Sequence, residues 1–340
     1  MRNWIDSEAL PEDIVLSSRV RLARNFEDLL FTDKMELEDA ISYVDKVYEI
    51  LYRKMEEEEL ELVKLYEMDY KSSKFYVERG LISEDLLKRR DRSAFVINRD
   101  ETISVMINEE DHLRIQSIAD GLNIKEAYIE SNKIDDFIEG EIPYSFHEEY
   151  GYLTARPTNM GTGIKASVII HLPAITMSEE IQNISKGLNQ VGMNIRAMYG
   201  ERIKACGNIY QVSNQITLGV NEEEIISNLE GVVFNIINEE KKSREILMTK
   251  YKYEIEDKIF RSYGILKNAI ILTYNEILDL SSNLRLGVEM SLLKVDKKVL
   301  NRLLVDTRDS VIQSKSEKVL SDNEKNIERA KLVKDILGQG

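Results

Sequence analysis

No proline follows Pro173 in this chain; the four it has are Pro11, Pro143, Pro157 and Pro173. A proline inside a helix removes a backbone N–H donor and collides with the preceding turn, at a cost of roughly 3 kcal/mol. Everything beyond Pro173 is therefore free to run in long helices, and the apolar spacing there is largely helical. From about Ile246 onward only helices are expected, over Tyr263 to Leu280, Asp296 to Ile312 and Asp322 to Leu337. Just before them, Asn221 with Glu224 three residues later has the form of a capping box opening a helix through Ile237. The part before Pro173 reads differently. Ile14 to Leu22 alternates as a strand, with Arg19 and Arg21 on one face and Val20 and Leu22 on the other. Leu37, Ile41, Val44, Tyr48, Leu51 and Met55 give an amphipathic helix, and Ile124, Ala127, Tyr128, Ile134, Phe137 and Ile138 give another. Ala94 to Ile97 and Thr102 to Ile107 read as strands joined by the polar turn Asn98–Glu101, and Ile164 to Leu172 as another; beyond Pro173, Asn208 to Val212 reads as one more, so the mixed pattern runs to about Val233. Strands and helices mix without regular βαβ alternation, so an antiparallel sheet with covering helices is expected rather than a parallel doubly wound one. The fold class is α+β, with residues 1–245 as the mixed domain and 246–340 as an all-helical domain.

A chain of 340 residues, 43% hydrophobic and 31% charged, has ordinary globular composition and suits one large domain with a smaller one. A net charge of −15 opposes general DNA or RNA binding, because nothing offsets phosphate repulsion over the surface. Met1 to Asp13 is acidic and lacks the apolar core of a secretion signal. The densest apolar runs, such as Ala269 to Leu272, are too short to cross a bilayer. The single cysteine, Cys206, excludes an internal disulfide framework and a cysteine-based metal cage. A cytoplasmic protein is expected. There is no internal repeat, and the acidic run Glu56 to Glu59 reads as a solvated helix face.

Four segments carry candidate chemistry. Ser17-Ser18-Arg19-Val20-Arg21-Leu22-Ala23-Arg24 places two guanidiniums, Arg19 and Arg21, on one strand face, where their forks suit phosphate oxygens; an exposed basic face reads the same way. Asn108-Glu109-Glu110-Asp111-His112-Leu113-Arg114 crowds three carboxylates that favour a nearby cation, or else forms an acidic loop. His112 fits a structural hydrogen-bonding role. Pro157-Thr158-Asn159-Met160-Gly161-Thr162-Gly163 leads toward Lys165 and permits close backbone approach, but lacks the spacing of a P-loop. Arg196-Ala197-Met198-Tyr199-Gly200-Glu201, followed by Asn208-Ile209-Tyr210-Gln211-Val212-Ser213-Asn214-Gln215, contains an arginine and a glutamate that any loop could pair.

In this order the four segments resemble the phosphagen (guanidino) kinase family, over nearly the whole chain. Within it they look most like the bacterial protein-arginine kinases. Ser17 lies close to the start, where creatine kinases carry a small helical domain. Arg261-Ser262-Tyr263-Gly264-Ile265-Leu266-Lys267-Asn268-Ala269 and Arg285-Leu286-Gly287-Val288 are similar to the helical carboxy-terminal domain of that branch. The resemblance implies ATP-dependent phosphorylation of arginine side chains in proteins. It implies that Arg19, Arg21, Arg114 and Arg196 grip the nucleotide phosphates, with Lys165 at a fifth such position. Their neighbours Ser17, Ser18, Val20, Ala166, Ser167, Val168, Ala197, Met198, Tyr199 and Gly200 fall in the nucleotide-binding segments, as does Glu201. Arg79 stands where the branch places a histidine near the base. Glu110 matches the carboxylate that orients the substrate guanidinium, and Glu201 matches a second one on a mobile loop. ATP with Mg²⁺ is implied, without a metal site built by the protein alone. Further implications are arginine-bearing protein substrates, an unfoldase–protease and an activator as partners, a homo-oligomer, and a part in stress response and protein quality control. No nucleic-acid or membrane partner is expected.

The chemistry agrees with that implication. Phosphoryl transfer through a loose transition state needs alignment and charge neutralisation more than covalent help. A guanidinium stays protonated far above neutral pH, so carboxylates gripping its N–H groups both align it and accept a proton.

The chain departs from the pattern at several positions. Arg156 replaces a cysteine before Pro157, Lys165 replaces an arginine, Ala197 a glycine and Cys206 an arginine. The branch's phosphoarginine-reading R-D-x-x-R-A appears as Lys325-Asn326-Ile327-Glu328-Arg329-Ala330. About 6 Å from a substrate guanidinium, at an effective dielectric near 20, Arg156 would repel it by roughly 3 kcal/mol. Alternatively it swings outward or pairs with an acidic neighbour; turned inward, its natural partners are Glu110 and Glu201. An impaired nucleotide- or phosphoarginine-binding adaptor and a kinase of a small guanidino compound are the competing readings.

Overall fold

The computed structural model describes residues 3–6, 14–56, 58–201 and 204–338. Most of the Met1 to Asp13 segment lies outside them. The chain forms two compact units: Met1–Asn3, Ser18–Ser167 and Ser213–Glu230 in one, and Trp4–Ser17, Val168–Val212 and Gly231–Gly340 in the other.

Elements in the amino-terminal stretch are β1 (Val15–Arg24), α1 (Leu37–Lys54), β2 (Leu60–Lys64), α2 (Tyr70–Glu78), α3 (Glu84–Lys88), β3 (Ala94–Asn98), β4 (Ile103–Ile107), β5 (Leu113–Asp120) and α4 (Ile124–Glu139). There follow the short pair β6 (Phe146–His147) and β7 (Gly151–Tyr152), β8 (Ile164–His171), α5 (Pro173–Met177), α6 (Ile181–Gln190) and β9 (Met193–Ala197). Then come β10 (Gly200–Glu201), β11 (Lys204–Ala205), β12 (Ile209–Asn214) and α7 (Glu222–Lys250). The remainder is helical: α8 (Lys252–Asn268), α9 (Tyr274–Glu289), α10 (Lys297–Val305), α11 (Asp309–Ser314) and α12 (Asp322–Gly338). The eight-stranded sheet has the order β2-β3-β4-β5-β1-β8-β12-β9.

In the first unit, β2, β3, β4 and β5 pair antiparallel in succession, with Ala94 opposite Ile107 and Met106 opposite Arg114. β3 and β4 are buried along their whole length, as their unbroken apolar runs require. α1 buries Ala40, Val44, Val47, Ile50 and Leu51 and leaves its charged face in water. Arg24, at the end of β1, donates from Nε (3.0 Å) and Nη2 (2.7 Å) to Asp135 of α4, and its guanidinium lies 3.6 Å from the Tyr152 ring centre. Such a buried pair is costly to break, because one charge would remain without compensation.

The capping box forms as read: Glu224 N–H donates to Asn221 Oδ1 at 2.8 Å, and Asn221 N–H to Glu224 Oε2 at 3.3 Å. The helix it opens continues past Ile237 to Lys250. The acidic run Glu56 to Glu59 is not a helix face. It falls in the connection between α1 and β2, where Glu58 accepts from Asn98 Nδ2 (3.1 Å) and Glu59 pairs with Arg99 (3.0 Å); Glu57 lies outside the described residues.

In the second unit, the helix expected over Tyr263 to Leu280 is two helices. Leu272 leaves the helical path to donate its N–H to the Asn326 carbonyl (3.1 Å), and Thr273 Oγ1 caps α9 by accepting from Glu276 N–H (3.3 Å). Asp296 to Ile312 is likewise split into α10 and α11, because Thr307 and Asp309 are drawn onto Arg329. Leu266, Leu272, Ile277, Leu284, Leu300, Leu303 and Val333 form the core of this helical stack. Among the described residues no helix is long and apolar enough to cross a membrane.

A buried polar network in this unit gave no signal in the sequence. Arg244 of α7 donates to Glu240 (2.7 Å) and pairs with Glu289 of α9 (2.6 Å), and Glu240 also accepts the N–H groups of Ala174 (3.1 Å) and Ile175 (2.9 Å). His171 Nδ1 lies 3.8 Å from Glu289, and its Nε2 meets Ser282 Oγ at 2.8 Å. Burial drives the His171 pKa down to about 4, so the ring is neutral in a network already carrying two carboxylates and one guanidinium.

Candidate active site

The first unit gathers Arg19, Arg79, Arg114, Glu110 and Arg156 through a chain of contacts along β1, β5 and the α2–α3 connection. Arg19 and Arg21 point to the less buried face of β1, as their alternation requires. Arg19 lies beside Gly80, whose positive φ of 74° and missing Cβ leave room for it: a Cβ there would sit 2.9 Å from the guanidinium. Gln116 holds that turn by donating to the Gly80 carbonyl (3.1 Å) and the Leu81 carbonyl (3.2 Å). Two residues earlier on the same face of β5, Arg114 pairs with the buried Glu109, which also accepts from Ser83. Ser83 caps α3 by accepting from Leu86 N–H at 3.0 Å. Arg79 directs two donors onto Glu101, with Nε at 2.9 Å.

Glu110 holds a guanidinium belonging to the protein itself. Arg156 Nε contacts its carboxylate, and Arg156 Nη2 lies 3.8 Å from Asp85 of α3. Of the two partners weighed for Arg156 from sequence, Glu110 is the one it contacts, while its side chain stays 59% exposed. Burial pushes the Glu110 carboxyl up from its ordinary value, and the positive charge of Arg156 partly reverses this. The backbone under Arg156 is pinned on both sides. Ala155 N–H donates to Asp111 Oδ1 at 2.6 Å, and Thr154 Oγ1 donates to the Arg156 carbonyl at 2.8 Å.

Of the acidic triplet, then, only Glu110 carries its carboxylate to Arg156; Glu109 serves Arg114, and Asp111 is a buried structural acceptor that also binds Asn25 (2.7 Å). His112 is structural, as read: Nδ1 accepts from Phe26 N–H (3.0 Å), so Nε2 carries the proton and donates to the Leu30 carbonyl (2.9 Å). Asp85 and Ser83 were missed. A serine followed by two acidic residues has the form of a helix start and could have revealed α3.

Lys165 extends from β8 to the Asn214 carbonyl, and the Asn214 amide bridges Ala166 N–H (2.9 Å) and the Ile164 carbonyl (3.1 Å). Ser167 is buried and Ser167 Oγ meets the Arg19 carbonyl at 3.5 Å. Ser18 is structural: it donates to the Gly121 carbonyl (2.8 Å) and accepts from Asn123 N–H (3.0 Å). Val20 is fully buried. The close approach allowed by Gly161 is made to the chain's own backbone at Thr217 rather than left open for a ligand.

Ser17 and Val168, both buried, and the segment 196–201 belong to the second unit. Arg196 donates from Nε (3.0 Å) and Nη2 (2.7 Å) to Gln211 Oε1 of β12. Ala197 ends β9, and Met198 N–H donates to the Ile209 carbonyl at 2.9 Å. Gly200 and Glu201 form one arm of a two-residue hairpin against Ala205 and Lys204, closed by Cys206 N–H donating to the Tyr199 carbonyl at 2.9 Å. The Glu201 side chain lies outside the described residues. Tyr199 Oη accepts from Arg308 Nη2 at 2.5 Å.

The Lys325–Ala330 segment is also in the second unit. Arg329 is buried, donating to Thr307 O (2.7 Å), Leu272 O (3.2 Å), Asn326 Oδ1 and Asp309. Lys325 Nζ lies 3.9 Å from the second Asp309 oxygen, and Ala330 is buried in the helical core. Among the described residues no cluster of three or more histidine, cysteine, aspartate or glutamate side chains could hold a metal ion.

Residues 42–243 match the family described as ATP:guanido phosphotransferase, C-terminal catalytic domain, and residues 252–339 match Protein-arginine kinase McsB C-terminal domain. The chain is 51% identical to the protein-arginine kinase of Clostridium novyi, over 98% of each chain. It is 48% identical to that of Clostridium botulinum, over the full length of both. Among solved structures it resembles a lombricine kinase with a TM-score of 0.56 at 22% identity, over 66% of this chain and 65% of that one, a likeness of fold.

Proposed function

Since the chain belongs to the ATP:guanido phosphotransferase family, we propose that it is an ATP-dependent kinase of arginine side chains in proteins. The observation that supports this reading most is that the Glu110 carboxylate engages a guanidinium, that of Arg156, in the same contact chain as Arg19 and Arg114. A carboxylate pocket that accepts one arginine side chain has the chemistry to accept another.

In this reading Arg19, Arg21 and Arg114 bind the phosphates of ATP, with Arg196 and Lys165 adding positive charge. The cationic forks, with the Arg19 guanidinium seated against Gly80, suit a polyphosphate. Mg²⁺ carried on the nucleotide supplies further charge neutralisation when bound. Glu110 takes two jobs. Its oxygens fix the orientation of an incoming guanidinium, which lowers the entropy cost of reaching an attack geometry. It then receives the proton lost as the N–P bond forms and the bond from γ-phosphorus to the bridging oxygen breaks, leaving ADP. The raised pKa of Glu110 makes it a better proton acceptor than an ordinary surface carboxylate. Glu201 is the second carboxylate.

The same reading carries a cytoplasmic setting, a role in stress response and protein quality control, an unfoldase–protease and an activator as partners, and a homo-oligomeric assembly. Incubation with Mg-ATP and an arginine-rich protein tests it. Acid-labile phosphate on the protein is the expected result. Phosphate on free arginine alone points to a small-molecule kinase, and phosphate on neither points to an adaptor.

A further inference from the structure

We propose that Arg308 is a positioning residue that couples the Lys325–Arg329 cluster to the Gly200–Glu201 hairpin. The inference rests on the reading of that hairpin as the carrier of the second catalytic carboxylate, and it stays within one compact unit.

A hairpin of two residues per arm is marginal by itself, so what holds its base determines where it sits. The base is Tyr199. Its carbonyl accepts the Cys206 N–H that closes the hairpin, and its hydroxyl accepts from Arg308. The Arg308 guanidinium carbon lies 5.2 Å from the Tyr199 ring centre and 5.9 Å from that of Tyr274. Tyr274 is itself tied down, donating from its hydroxyl to the Leu304 carbonyl at 2.9 Å. One cation thus braces two aromatic rings packed edge to face at 6.1 Å.

Arg308 is in turn set by its two chain neighbours. It is the residue preceding α11, with an extended backbone (φ −71°, ψ 158°), and it splits what would otherwise be one helix. Arg329 holds both sides of it. Nε takes the Thr307 carbonyl at 2.7 Å, and Nη2 takes the Asp309 carboxylate, whose other oxygen lies 3.9 Å from Lys325. Thr307 is fully buried and donates from Oγ1 to the Leu303 carbonyl at 2.6 Å. A change in how Asp309 is paired therefore reaches Tyr199 through a single intervening side chain. This is a contiguous hydrogen-bonded path rather than mere nearness.

The test uses the full chain with Arg308→Gln, Arg308→Lys, Asp309→Asn and their combination. Two readouts are followed: the split of kcat against KM for ATP, and hydrogen exchange at the Cys206 amide. Arg308→Gln is expected to lower kcat about tenfold with KM for ATP within about twofold, and to speed Cys206 exchange by about tenfold. Arg308→Lys restores kcat to within about threefold, because a cationic donor is kept. Asp309→Asn lowers kcat about threefold alone and adds nothing to Arg308→Gln, since both act on one path. Unchanged kcat and unchanged exchange in Arg308→Gln overturn the proposal, and so do effects of Asp309→Asn and Arg308→Gln that multiply. Glu201→Gln separates the two readings. If it keeps full kcat, the catalytic assignment of the hairpin fails, while Cys206 exchange in Arg308→Gln still decides the coupling.

Discussion

Replacing Arg156 by cysteine removes the guanidinium that sits on Glu110 and opens the carboxylate to a substrate arginine. The magnitude follows from the geometry. Two unit charges about 4 Å apart at an effective dielectric near 20 interact by roughly 4 kcal/mol. The Arg156 side chain is 59% exposed, however, against 17% for Glu110. Measured exposed pairs contribute about 0.2–1 kcal/mol, so the competition lies between these limits, near 1.4 kcal/mol or about tenfold. That is smaller than the roughly 3 kcal/mol of repulsion expected from charge and distance alone, because water shares the guanidinium. The loop backbone should stay in place, since Asp111 and Thr154 hold it through main-chain atoms that the substitution leaves intact. Steady-state kinetics with an arginine-bearing protein should show KM for that protein falling about tenfold. Calorimetry with a single-arginine peptide should show tighter binding by the same factor. The acid limb of the rate profile should move to higher pH, because the carboxylate loses the cation that favours its ionised form. Glu110→Gln in the same background should abolish the gain. An Arg156→Cys protein with the parent's KM, peptide affinity and pH profile would refute the idea that Arg156 competes with substrate.

Three further outcomes follow from the same contacts. Arg21→Ala combined with Arg114→Ala should reduce Mg-ADP affinity at least tenfold by calorimetry and flatten its dependence on salt, because charge-assisted contacts to phosphate are removed. Gly80→Ala, read by nucleotide affinity, should weaken binding by about 1–2 kcal/mol, since the new Cβ is strained at φ 74° and crowds Arg19. His171, neutral with a pKa near 4, gains a proton far more readily when unfolded. Stability should therefore be full above about pH 6.5 and fall by up to about 3 kcal/mol toward pH 4, a slope in urea midpoints that His171→Asn should remove.

The sequence carried the parts of this fold that depend on local pattern and lost those that depend on distant partners. The alternation in β1 placed Arg19 and Arg21 correctly because burial of Val20 and Leu22 leaves only one face for them. The capping box at Asn221 was legible because both of its hydrogen bonds span three residues. Helical periodicity, by contrast, ran straight through Ala269–Thr273 and Asp306–Arg308. Those breaks arise from Asn326 and Arg329, which lie far along the chain and compete for backbone groups the helices would have used. The same division holds at the site. Glu110 and Arg156 could be proposed as partners from charge and spacing within a recognisable order of motifs. Asp85 could not, because only the folding of α3 brings it to Arg156. Arg308 was invisible for a stronger reason: nothing in Thr307–Arg308–Asp309 differs from an ordinary polar turn until Arg329 fixes its two flanks and Tyr199 receives its guanidinium. A position of that kind acquires its role from being held at both sides by one buried fork, which is a property of the packed helices and of no short stretch of chain.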